Sequence, residues 1–193
     1  MAGTFPTVPP VLEDDRLRLR PLRETDAARM DDLDRDERTK NFIGRSRAAQ
    51  FTDGATVVRR MMDRNARGEA FDWAITAHES DLLIGHVFLG GLTGVDDTAA
   101  TLGYAVHPDS RGRGVMTGAL KLVVEWAFRP VEEGGPGRRR LSLRTAGSNL
   151  ASRYAAERAG FVHVATEPEA FPTGASGFED SLIYHRLNPN WTP

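Results

Sequence analysis

GYAVHPDSRGRGVMTGALKLVVEWAF, residues 103–128, places a short apolar strand, a turn at His107-Pro108-Asp109, a glycine-rich loop and a helix in immediate succession. Ala119, Leu122, Val123 and Trp126 recur at i, i+3, i+4 and i+7, which makes one apolar stripe. Lys121 and Glu125 fall on the other side. The loop Arg111-Gly112-Arg113-Gly114 enters this helix directly. Its glycines carry no Cβ, so the backbone turns tightly and a ligand can approach it. The first-turn N–H groups of a helix have no partners inside it, and the helix dipole favours an anion there. Two arginines add formal positive charge. The pattern predicts a phosphate-binding loop. It is neither of the common nucleotide loops. From Gly112 the string is GRGVMT, with Thr117 where the dinucleotide fingerprint has its third glycine, and the Gly-Lys-Ser/Thr ending of the P-loop is absent.

The 193 residues suit one domain with a substantial core. There is no cysteine, which excludes disulfides, thiolate zinc sites and a cysteine nucleophile. The start, MAGTFPTVPPVLEDD, lacks the basic and apolar regions of a signal peptide, so a cytoplasmic protein is expected. No apolar run approaches the roughly 20 residues of a membrane helix, so no membrane partner is expected. The net charge of −2 argues against a general nucleic-acid binder. The histidines have no ligand spacing around them, so no metal is expected.

Outward from the central stretch, residues 1–15 read as a Pro-bearing leader on the surface, and residues 16–193 as a single domain. Arg16 to Arg20 alternates strictly, a strand with Leu17 and Leu19 inward. Thr25 or Asp26 caps a first helix through Met30 and Leu33, followed by a loop at Gly44. A second helix starts near Thr52 or Asp53 and stops at Gly68. Phe71–Thr76 and Leu82–Leu89 form a hairpin, glycines at 90, 91 and 94 turn the chain, and Ala99–Val106 leads into the glycine-rich loop. Arg138–Thr145 is a strand, Asn149 caps a last helix ending at Gly160, and Phe161–Ala165 is a strand. Residues 166–179 read as a loop before a final strand, Ser181–Leu187. The order is β-αα-βββ-α-β-α-β-β. This is an α+β chain with a mostly antiparallel twisted sheet of about seven strands and helices on both faces.

That order, with Arg111-Gly112-Arg113-Gly114-Val115-Met116, resembles the GNAT superfamily of N-acetyltransferases and its Arg/Gln-x-x-Gly-x-Gly/Ala acyl-CoA loop. Met116 departs from the usual Gly or Ala; its side chain either crowds the pyrophosphate or turns into the core. Asn149-Leu150-Ala151-Ser152 with Glu157-Arg158-Ala159-Gly160-Phe161 resembles a second superfamily segment. The opening LRLRPLRETDAARM is similar to the branch related to the ribosomal-protein alanine N-acetyltransferases.

The resemblance implies acetyl-CoA, or another acyl-CoA, as co-substrate and a primary amine as acceptor, on a protein N-terminus or a small molecule. A homodimer stays open. By position, the backbone of Tyr104, Ala105 and Val106 faces the thioester carbonyl. Arg111, Gly112, Arg113, Gly114, Val115, Met116 and Thr117 hold the pyrophosphate, and Asn149 bonds the pantetheine arm. The family's frequent tyrosine, which protonates the leaving thiolate, is replaced by Ala156. Ser152 matches the serine of the ribosomal branch and takes that role, against the reading of a first-turn serine satisfying backbone. Two residues are candidate bases: His86 on the third strand, whose ordinary pKa suits the task, and Glu69. The sequence does not choose between them. Asp31, Asp32, Asp34, Asp36, Glu37, Glu167 and Glu169 suggest an acidic acceptor surface that attracts a cationic amine, or solvated helix ends. Phe171 and Phe178 read as an apolar lip or a pin for their loop. Ala156 and Met116 also suit a second class of protein, a CoA-binding one without catalysis.

Overall fold

The computed structural model describes residues 8–43, 53–92, 96–174 and 177–192. The expectations at Gly44, Thr52 and Gly94, and for the first seven residues of the leader, lie outside them. Eight strands form one sheet: β1 (Leu12–Glu13), β2 (Leu17–Pro21), β3 (Ala70–Ala77), β4 (Leu83–Gly90), β5 (Ala99–Val106), β6 (Arg140–Ala146), β7 (Val162–Thr173) and β8 (Gly177–Leu187). The helices are α1 (Ala27–Arg35), α2 (Glu37–Phe42), α3 (Gly54–Ala66), α4 (Val115–Phe128) and α5 (Leu150–Arg158). Strand order is β1-β2-β3-β4-β5-β6-β8-β7. All neighbours are antiparallel except β5 and β6.

Alternation along the strands decides which helices lie on which face. Leu17, Leu19, Phe71, Trp73, Ile75, Val87 and Leu102 point to α4 and α5, making the larger core. Trp126 of α4 meets Phe71 and Trp73 edge-on, with ring centroids 5.3 and 5.6 Å apart. Ala74 and Leu83 point the other way, to Met30 of α1 and Val58 and Met61 of α3. The buried face of α4 is wider than the predicted stripe: Leu120, Val124 and Ala127 are also buried, and Leu122 is only half-buried. The helix lies along the sheet with α5 beside it, so two faces are covered rather than one.

Three expectations are corrected. The leader is not simply laid on the surface: β1 pairs with β2, and the Trp73 indole N–H donates to the Pro10 carbonyl at 2.7 Å. Asp26 does not cap α1 through its side chain; its carboxylate grips the buried Arg20 guanidinium at 2.8 and 2.9 Å. The stretch predicted as a loop at 166–179 is mostly the extended β7–β8 hairpin. Its prolines and acidic residues sit on an edge strand exposed over most of its length, where turn-like composition is tolerated.

One feature of the pairing creates the site. β5 stays bonded to β4 as far as Val106, whereas its parallel pairing with β6 ends at Leu102–Leu143. Beyond that point the two strands part. The His107 N–H donates to the Ile84 carbonyl on the β4 side. Alternation therefore turns the N–H groups of Tyr104 and Val106 toward the gap.

Candidate active site

A cleft of about 680 Å³ runs through that gap, walled by β5, the glycine-rich loop, the start of α4, the first turns of α5, and α2 with Phe171 of β7. Gly112 and Gly114 both have φ of 74°, left-handed values that a side chain would strain. A Cβ at either position would meet nothing within 4 Å, so the loop's surface is open. Gly114 is the N-cap of α4, and no side chain caps that helix. The N–H groups of its first turn are left for a ligand. Val115 and Met116 are buried in the larger core, and both also line the cleft.

Asn149 behaves as its sequence position predicts. Its side-chain oxygen accepts from the Ser152 N–H at 3.3 Å and caps α5. Its amide N–H₂ remains available to an acceptor on a ligand. Ser152 lines the cleft, and its hydroxyl lies 2.9 Å from the phenol of Tyr104. The same phenol donates to the Ser152 carbonyl at 3.3 Å. Burial pushes the Tyr104 phenol up to about 12, against a smaller opposing effect of the Ser152 hydrogen bond. Sequence reasoning used only the backbone of Tyr104. Its side chain was the missed element: strand alternation sends it to the α5 face, where it reaches Ser152.

Residues 16–162 match the family described as acetyltransferase (GNAT) domain. The chain belongs to the GNAT acetyltransferase family. A probable N-acetyltransferase of Bacillus subtilis, YjcK, is 27% identical over 157 residues, covering 78% of this chain and 83% of that one. The fold is similar to that of Mycobacterium smegmatis RimJ in complex with CoA-disulfide (TM-score 0.78, 18% identity, 95% and 90% of the chains covered). It is also similar to a ribosomal-protein-S5-alanine acetyltransferase from Vibrio fischeri (TM-score 0.77, 18% identity, 95% and 100% covered).

Within this GNAT chain, several predicted residues sit differently from expectation. The Arg111 guanidinium is held by Asp36 and by the Thr39 hydroxyl at 3.0 Å, and its Nε donates to the Val106 carbonyl at 3.2 Å. It therefore fastens α2 to the loop rather than pointing freely at a phosphate. Arg111 in turn holds the Asp36 carboxyl down at about 2. Arg113 is exposed, with its carbonyl accepting from Arg16. Tyr154 also lines the cleft, because the cleft wraps the first turns of α5. Phe171 reaches the cleft, whereas Phe178 is exposed on β8.

Neither candidate base lines the cleft. Glu69 is exposed and forked with Arg67, which holds its carboxyl below the usual carboxylate range. His86 is buried behind Phe88, with ring centroids 6.3 Å apart, and its Nε2 lies 2.9 Å from Asp72. Burial pushes the Asp72 carboxyl up, but hydrogen bonds from His86 and Arg64 outweigh it and leave the group below its ordinary value. Among the described residues no cluster of three or more His, Asp or Glu could hold a metal, and no helix is long and apolar enough to cross a membrane.

Proposed function

We propose that this chain is an acyl-CoA-dependent N-acyltransferase, with acetyl as the group and a primary amine as the acceptor, working by direct attack in a ternary complex. The observation that carries the reading is the continuity of two features in one cleft. The open glycine-rich N-terminus of α4 suits a pyrophosphate, and the unpaired edge of β5 suits the extended arm and carbonyl that follow it. The co-substrate supplies a thioester, an acyl carbonyl already activated for attack.

Gly112, Gly114 and the first turn of α4 would hold the phosphates by backbone N–H groups, and the Asn149 amide would fix the arm. The N–H groups of Tyr104 and Val106 face the gap, where they would stabilise negative charge developing on the carbonyl oxygen. One such preorganised donor contributes about 3–4 kcal/mol to the transition state. The amine nitrogen bonds to the carbonyl carbon as the carbon–sulfur bond breaks. Ser152 gives its hydroxyl proton to the departing sulfur and takes the proton of the Tyr104 phenol 2.9 Å away, and the phenolate regains a proton from water as the thiol leaves. Burial disfavours the phenolate, so the phenol is the resting form and is restored after each turnover. With no His, Asp or Glu among the described residues of the cleft wall, the amine proton passes to water.

Relatives support the choice of chemistry. The RimJ structure contains a CoA compound, and the Vibrio fischeri protein is named for a ribosomal-protein alanine. A protein N-terminus is accordingly the first acceptor to test, ahead of small amines. Initial rates measured over a grid of acetyl-CoA and peptide concentrations test the mechanism: intersecting lines support direct attack, and parallel lines contradict it.

A further inference from the structure

The acceptor half of the cleft does not have the charge that the sequence suggested. Its wall is formed by Arg38, Phe42 and Ile43 at α2, Phe88 of β4, Arg144 of β6 and Phe171 of β7. Across the whole cleft the lining includes four arginines, at 38, 111, 144 and 158, and no Asp or Glu among the described residues. Several of the carboxylates expected to face an amine are engaged elsewhere. Asp31 accepts the Gly54 N–H, Asp36 holds Arg111, Glu37 takes Lys40 and Glu167 takes Arg144. Arg38 is exposed and has no hydrogen bond or ion pair with another described residue. Behind the apolar wall, the Arg64 guanidinium lies 4.8 Å from the centre of the Phe88 ring.

From this we infer that the preferred acceptor is a primary amine carrying a carboxylate or phosphate close to it, with Arg38 receiving that anion. A purely cationic acceptor would find no carboxylate among the described residues of the wall. An anionic group beside the amine would meet the one unpaired acceptor-side guanidinium, suited to planar or tetrahedral oxyanions. An α-amine, with an ordinary pKa of about 7.7–8.0, is delivered neutral more readily than a lysine amine at about 10.4. That suits a cleft wall whose described residues include no His, Asp or Glu.

The inference uses the acyl-transfer reading for turnover but not for binding, so both are measured on the CoA-loaded full chain. Three tripeptide amides share an N-terminal alanine and differ at the second residue: Ala-Glu-Ala, Ala-Gln-Ala and Ala-Lys-Ala. A small-molecule arm compares O-phosphoethanolamine with ethanolamine. Calorimetry should rank Glu over Gln by about 5-fold, the effect of one partly solvated ion pair, and Glu over Lys by more. Phosphoethanolamine should exceed ethanolamine if the source is a small molecule. Added salt should shrink each preference, and Arg38→Gln should bring the three peptides within about 2-fold of one another. A Lys-first or flat ranking in both arms overturns the inference, as does a Glu preference that survives Arg38→Gln, or an Arg38→Gln effect on CoA alone. Anion-selective binding without thiol release would leave the inference standing and remove the acyltransferase reading instead.

Discussion

The phenol of Tyr104 on β5 stands 2.9 Å from the hydroxyl of Ser152 on α5, so the two hydroxyls assigned to the leaving thiolate share one hydrogen bond. A proton donor contributes about 100-fold or more to such a step. Ser152→Ala is expected to lower kcat by about that factor, and Tyr104→Phe by about 10-fold. CoA affinity, read by calorimetry, should change little in either. The double variant should be no slower than Ser152→Ala, because the two hydroxyls act as a unit. Losses that simply multiply would separate them.

Gly114 is left-handed in open space, so an alanine there costs backbone strain and makes no clash. Gly114→Ala should lose about 1–2 kcal/mol, lowering Tm by about 2–4 °C for each kcal/mol in a chain of this size. CoA affinity should fall further than stability does, since the strained unit is the one that meets phosphate. Equal binding by the variant would remove this backbone from the phosphate site.

Asp36 joins α2 to the phosphate loop through Arg111, and its carboxyl is held at about 2 against an ordinary 3.8. In that interval the unfolded chain takes up the proton before the folded one. The stabilisation is therefore complete above about pH 3.8 and disappears as pH falls toward 2. Thermal melts of the wild type and Asp36→Asn should differ at pH 5 and converge toward pH 2. A difference that stays constant across that range would contradict the clamp.

Asp72 is fully buried and holds both His86 and Arg64. Asp72→Asn should destabilise the fold by about 3–5 kcal/mol, the cost of breaking an ion pair whose carboxylate is fully buried. His86→Gln should lower Tm while leaving the shape of the pH–rate profile intact. Loss of a limb of that profile would return His86 to the role of base.

Much of this was readable in advance because local chemistry and tertiary structure agreed. The 112–114 glycines, the Asn149 cap and the alternating Leu17 and Leu19 each state their conformation within a few residues. The rest depended on long-range pairing. Nothing near Arg111 reveals that Asp36, 75 positions away, will occupy its guanidinium. Nothing near residue 166 reveals that β8 will draw a Pro- and acid-bearing segment into a hairpin. The Tyr104–Ser152 bond spans 48 positions and depends on which face of β5 meets α5. The acidic run at 31–37 misled for the same reason: its charges are visible in sequence, but their partners are not.

The most direct measurement is free-thiol release from acetyl-CoA with and without Ala-Glu-Ala amide, alongside the mass of the peptide. The account predicts release that needs the peptide and matches, mole for mole, the N-acetylated product. Stabilisation of the protein by acetyl-CoA, with no thiol released in the presence of this peptide or of the other amines, would contradict it and leave a CoA-binding protein without catalysis.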